Sequence, residues 1–92
     1  MHRPTREEFT AQALAEGFDE VLERQWAPLT VVDTHTHPFA VKAIVVQGEM
    51  WLSIDGKTRH LQPGEYFTLD RGIAHAERYG SDGATYWVAR KN

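Results

Sequence analysis

The chain contains no cysteine. That excludes disulfides and thiolate zinc sites and removes any argument for an oxidising compartment. Long hydrophobic runs are also missing. No apolar stretch approaches the roughly 20 residues of a membrane span, and the N-terminus has no signal-peptide-like apolar region. Positive charge is scarce: 10 Lys+Arg stand against 13 Asp+Glu, a formal net charge of -3. Without a basic run to displace phosphate counterions, nucleic acid is excluded as a partner. A soluble cytoplasmic protein that takes a small-molecule ligand, away from membranes, is the expectation. At 92 residues the chain is expected to be a single domain, 1–92. So small a core makes homodimerisation an expectation as well.

Turn and cap signals divide what is there. Thr5-Arg6-Glu7-Glu8 reads as a capping box with Pro4 just outside, opening a short helix. Phe9, Ala13 and Leu14 recur at helical spacing, and Gly17 is a left-handed stop, so residues 1–17 form a helical segment ending near Glu16. Between Gly17 and the Ala27-Pro28 break, Phe18 to Trp26 reads as a strand. It opens a β-barrel over residues 18–92. Thr30-Val31-Val32 leads into a strand that carries His35 and His37 and ends at Pro38. Val41 to Gln47, stopping at Gly48, and Met50 to Ile54 read as separate strands. Asp55-Gly56 is a hairpin turn from Met50–Ile54 to Lys57–Leu61. Pro63-Gly64 and Asp70-Arg71-Gly72 are turns flanking Tyr66–Leu69. Ala74–Tyr79 and Ala84–Ala89 are expected to pair as a hairpin across Gly80-Ser81-Asp82-Gly83. About eight short strands with such frequent turns predict an all-β sandwich or barrel.

Chemistry concentrates on three histidines. Residues at i and i+2 of a strand share one face, so His35 and His37 lie side by side. His75 follows on a distant extended segment and can complete a coordination sphere for a divalent cation. Imidazole gains little from burial, and two cations on one face repel, so packing alone does not account for the pair.

These residues resemble the cupin family. Its first motif runs Gly, five residues, His-x-His, three or four residues, Glu, six residues, Gly; the matching positions here are Leu29, His35, His37, Val41 and Gly48. The second runs Gly, five residues, Pro-x-Gly, two residues, His, three residues, Asn, and falls on Gly64, Asp70, Gly72, His75 and Tyr79. The resemblance covers residues 29–79 and implies a small jelly-roll barrel with a metal held by His35, His37 and His75. Two departures stand out. Val41 occupies the glutamate position, leaving three protein ligands, as in the cupins cysteine dioxygenase and diketone-cleaving dioxygenase. Asp70 replaces the motif proline, where an Asx-type turn can keep the bend. Three neutral imidazoles suit iron, zinc, nickel, copper or manganese with positions left open. The lost glutamate makes the site more positive and favours an anionic or enolate ligand.

Around the histidines, Glu77 shares the face of His75. It is a candidate for proton transfer, for a distant fourth ligand, or for a rim carboxylate paired with an arginine. Tyr79 has the same parity and offers a phenol to a ligand or to the core. Val41, Phe39, Gln47 and Trp87 are candidate pocket residues. Trp51, Tyr86 and Phe67, with Phe39 and Trp87, are expected in the interior or at a dimer face. Asp33 is either a support for an imidazole or an exposed strand end. His2 and His60 are not expected to be ligands, and Lys42 is expected to be solvated. The implied function is a metal-dependent dioxygenase-like or Lewis-acid enzyme acting on a small anionic or enolisable substrate. The alternative is a non-catalytic sensing domain, similar to the ligand-binding cupin domain of arabinose-type regulators. A third reading is a purely structural subunit with vestigial histidines.

Overall fold

In the computed structural model, which describes residues 3–92, the capping box forms as the sequence implies. The Glu8 amide donates to Thr5 Oγ1 at 3.1 Å, and the Thr5 amide donates to Glu8 Oε1 at 2.8 Å. This satisfies two amides that a helix start otherwise leaves unpaired. The helix α1 (Arg6–Ala15) ends where Gly17 takes a φ of +95°. Phe9 and Ala13 are buried, whereas Leu14 is half exposed, one residue off the stripe they define. Phe9, Ala13, Ile44 and Ala89 form a small cluster with Trp87, which docks the helix on the outside of the sheet. Lys42, expected to be solvated, instead bonds Glu16 at 2.9 Å and ties the helix end to the sheet. That hydrogen bond holds the Glu16 carboxyl below the usual carboxylate range.

Six strands follow: β1 (Glu20–Trp26), β2 (Val31–His35), β3 (Ala40–Ile54), β4 (Lys57–Leu61), β5 (Tyr66–Leu69) and β6 (His75–Lys91). All pairs are antiparallel, and the jelly roll is organised on β3 and β6. The first half of β6 runs between β2 and the end of β3; its second half runs between β1 and the start of β3. The Asp55-Gly56 turn joins β3 to β4 with Ile54 opposite Lys57, both turn residues having positive φ. That is the geometry a two-residue hairpin requires. The barrel interior holds Val45, Met50, Leu52 and Leu61, each fully buried and each contributing about 1.5–3 kcal/mol.

Two sequence expectations are corrected. Residues 74–79 and 84–89 do not pair with each other, and 41–47 and 50–54 are not separate strands. Each pair is one long bent strand, so six strands replace about eight. A local pattern of alternation reads the same in both cases; the glycines decide. A Cβ on Gly48 would sit 2.1 Å from the Gly83 carbonyl oxygen, and one on Gly83 would sit 2.2 Å from the Trp26 oxygen. These glycines permit strand backbones to cross closely instead of reversing the chain. Bulges between Val45 and Gln47 and between Gly48 and Met50 accompany the bend in β3.

Leu29, which stands at the first motif glycine, adopts a φ of +60° and is 72% exposed. The left-handed conformation is therefore retained without glycine, at a cost of about 1–2 kcal/mol.

Candidate metal centre

His35 ends β2, His75 begins β6, and the two residues are paired in register. His37 lies just beyond β2. The ring centroids are 4.2 Å apart for His35 and His75, and 4.8 Å for each pair that includes His37. One nitrogen from each ring falls within 4.8 Å of the others. His75 is only 2% exposed, whereas His35 and His37 are half-buried and open one side of the cluster. His2 lies outside the described residues. His60 stacks on Trp51 on another part of the sheet, away from this cluster.

Local backbone geometry sets the tautomers. His35 Nδ1 is 2.8 Å from the Asp33 carbonyl, and His75 Nδ1 is 3.0 Å from the Ile73 carbonyl. Each Nδ1 must donate to its carbonyl, which leaves Nε2 of a neutral ring with a lone pair. Asp33 thus supports an imidazole through its backbone; its side chain is exposed.

Glu77 completes the arrangement. Its Oε2 lies 3.5 Å from His35 Nε2 and 3.5 Å from His75 Nε2. Two lone pairs and a carboxylate oxygen facing one another repel unless a proton or a cation lies among them. This donor set fits a divalent metal, and the residues that would hold it are His35, His37 and His75. Burial above all holds the His37 imidazole below the usual histidine range, which favours the neutral form that can ligate.

The other oxygen of Glu77, Oε1, accepts a short hydrogen bond from the Tyr79 hydroxyl. Burial pushes the Tyr79 phenol far above the ordinary tyrosine range, assisted by the charges of Tyr86 and Glu77. Trp26 stacks on Tyr79 with centroids 5.1 Å apart and donates through Nε1 to the Tyr86 hydroxyl at 3.1 Å.

The candidate pocket residues separate. Phe39 stacks on His37 at 4.9 Å and 9°, beside the site. Val41 is buried in the barrel core. Gln47 is exposed, bonded to the Asp82 carbonyl and Thr85, because the bulge after Val45 reverses its parity. Trp87 packs against Phe9 under the helix, on the outer face. Tyr86 and Phe67 are interior, whereas Trp51 lies between His60 and Arg78. Gln47 and Trp87 are therefore not brought to the histidines. Sequence reading missed Arg24, Trp26 and Arg90, which line a 110 Å³ cavity with His35, His37 and Glu77. Their shared strand parity, Arg24 with Trp26 and Arg90 with Val88, was the available signal.

A family model described as "Cupin domain" matches residues 24–89. No curated protein matches the sequence. Among solved structures, the chain is similar to one reported for the DMSP lyases RdDddP and RnDddQII, with 20% identity and TM-score 0.72, covering 78% of this chain and 37% of that one. It is similar to KdgF from Halomonas sp., with 20% identity and TM-score 0.67, covering 78% and 68%. It also resembles the polyketide cyclase RemF from Streptomyces resistomycificus, with 25% identity and TM-score 0.66, covering 86% and 60%. The chain thus spans less than two-thirds of the lyase and cyclase chains. At these identities the likeness carries the fold.

Proposed function

The chain belongs to the cupin domain family, and on that basis we propose that it is a metal-dependent enzyme acting on a small anionic or enolisable substrate. His35, His37 and His75 hold the metal, and Glu77 with Tyr79 manages the proton. The observation that carries this reading is that one nitrogen from each of His35, His37 and His75 lies within 4.8 Å of the others, with Glu77 Oε2 at 3.5 Å from the Nε2 of both His35 and His75. When bound, a divalent metal such as iron, zinc, nickel or manganese supplies Lewis-acid polarisation of a ligand oxygen.

The protein's own groups divide the remaining work. Tyr79 stays protonated, so it acts as a donor that holds Oε1 and fixes the Glu77 carboxylate. Oε2 is then the oxygen free to take a proton from a carbon beside a carbonyl or carboxylate, and to return it. Trp26 and Tyr86 line the same cavity as the carboxylate and give it an aromatic wall. Proton abstraction of this kind suits lyase, isomerase or cyclase chemistry, which agrees with the lyase and cyclase named among the solved structures. In this reading the protein works as a cytoplasmic homodimer; exposed apolar Leu29 and Val31, before and at the start of β2, support the association.

The test is elemental analysis of untagged protein together with a His75→Ala variant. Wild type is expected to bind one equivalent of divalent metal, and the variant to lose it while keeping its β-rich circular dichroism. Stoichiometric metal in the variant would refute the assignment.

A further inference from the structure

Arg24 and Arg90 share the small cavity with His35 and His37, and among the described residues neither is paired with a carboxylate. Arg24 lies over the Trp26 ring at 4.9 Å, and Arg90 lies over Phe39 at 4.6 Å. Phe39 in turn lies parallel to His37, so Arg90, Phe39 and His37 form one stack. Arg6 and Lys42, by contrast, reach Glu23 and Glu16. Among the described residues, no carboxylate lies within 4.0 Å of the Arg24 or Arg90 guanidinium, and neither donates a side-chain hydrogen bond. Glu20 faces Arg90 across the β1–β6 ladder, yet the two form no ion pair.

A guanidinium held over an aromatic ring is attracted by the ring face and still has N–H donors to offer a ligand. Two such groups beside one cavity, in a chain of net charge -3, mark a local concentration of positive charge. The one acid lining that cavity is Glu77. With a divalent cation on the histidines, three positive charges stand beyond what Glu77 balances, and a dianion offsets two of them, which a monoanion cannot do. The volume bounds the size: 110 Å³ is far below the roughly 300 Å³ minimum of pockets for drug-sized ligands.

We propose that Arg24 and Arg90 determine specificity for a small dicarboxylate, one carboxylate meeting the three-histidine centre and the other bonded by the arginines. The inference rests on the metal-centre reading and narrows its substrate to a dicarboxylic acid of about three to five carbons. Bidentate pairing with a carboxylate is the geometry that guanidinium offers and lysine does not.

The test uses Co(II)-loaded full-length protein, followed by its visible spectrum during titration with malonate, propionate and imidazole. Imidazole is neutral and reports the metal alone. Wild type is expected to bind malonate more tightly than propionate by about tenfold or more, and Arg24→Gln and Arg90→Gln each to lose about that factor for malonate. Imidazole affinity should be unchanged in both variants. Arg24 is exposed, so its variant keeps the experiment decisive even if Arg90→Gln unfolds. Equal malonate affinity in wild type and variants, or no malonate binding by wild type, would overturn the dicarboxylate site and leave the metal centre standing. Failure of wild type to take up Co(II) would overturn the metal centre, and this inference with it.

Discussion

Replacing Tyr79 with phenylalanine isolates the hydrogen bond that holds the Glu77 carboxylate. Tyr79 is 1% exposed and Glu77 7%, so water cannot take the place of the lost hydroxyl. The ring itself stays, still stacked on Trp26 at 5.1 Å, and packing losses are therefore small. What disappears is a hydrogen bond to a charged acceptor, worth about 1.5–3 kcal/mol when both partners are buried. With a urea m-value near 1 kcal/mol/M for a chain this short, the midpoint should fall by roughly 1.5–3 M. Glu77→Gln keeps an acceptor but removes the charge, and the double variant should show a coupling of about 1 kcal/mol or more. The assay is urea unfolding of the metal-free protein, followed by tryptophan fluorescence, for wild type, both single variants and the double variant. Additivity within about 0.5 kcal/mol would mean that the two side chains do not act as a unit. The role given to Tyr79 would then fail.

Two further outcomes follow from the packing of the barrel. Gly48→Ala should destabilise by about 2–5 kcal/mol, since its Cβ would meet the Gly83 oxygen at 2.1 Å and φ is +73°. Gly56→Ala, with nothing within 4 Å, should cost only about 1–2 kcal/mol; equal thermal shifts would contradict the close-crossing account of the bend. The Tyr79 and Tyr86 phenols are both pushed above the ordinary tyrosine value of about 10 in the fold, chiefly by burial. Above that value the unfolded chain releases protons that the folded chain retains, so stability is full below it and declines as pH rises past it. Absorbance at 295 nm should therefore show tyrosinate from these two residues only on unfolding, and Tyr79→Phe should flatten the alkaline decline.

How much could be read from the sequence depended on how local the determinant was. The Thr5–Glu8 cap, the Gly17 stop and the Asp55-Gly56 hairpin each need only a few consecutive residues, and each forms as read. The histidine motifs were legible too, because their spacing fixes where strands begin and end. Gln47 was misplaced because a single bulge reverses every inward and outward assignment after it. Trp87 was misplaced for a different reason. Both faces of β6 are covered, one by the barrel core and one by α1, so an aromatic residue there does not reveal its side. The glycines of Gly80–Gly83 read as a reversal, although their role is to let β6 bend against β3 and pass the end of β1.

Short-range patterning was enough for the barrel class, the local turns and the three imidazoles, because alternation, caps and motif spacing act over a few residues. Only the closed barrel decided which strands are continuous, that one Glu77 oxygen faces two imidazoles while the other is held by Tyr79, and that Arg24 and Arg90 share the cavity. Those facts arise from residues as far apart as Arg24 and Arg90 meeting across the sheet. Such meetings follow from strand pairing and backbone crossing, which no short window of side chains encodes.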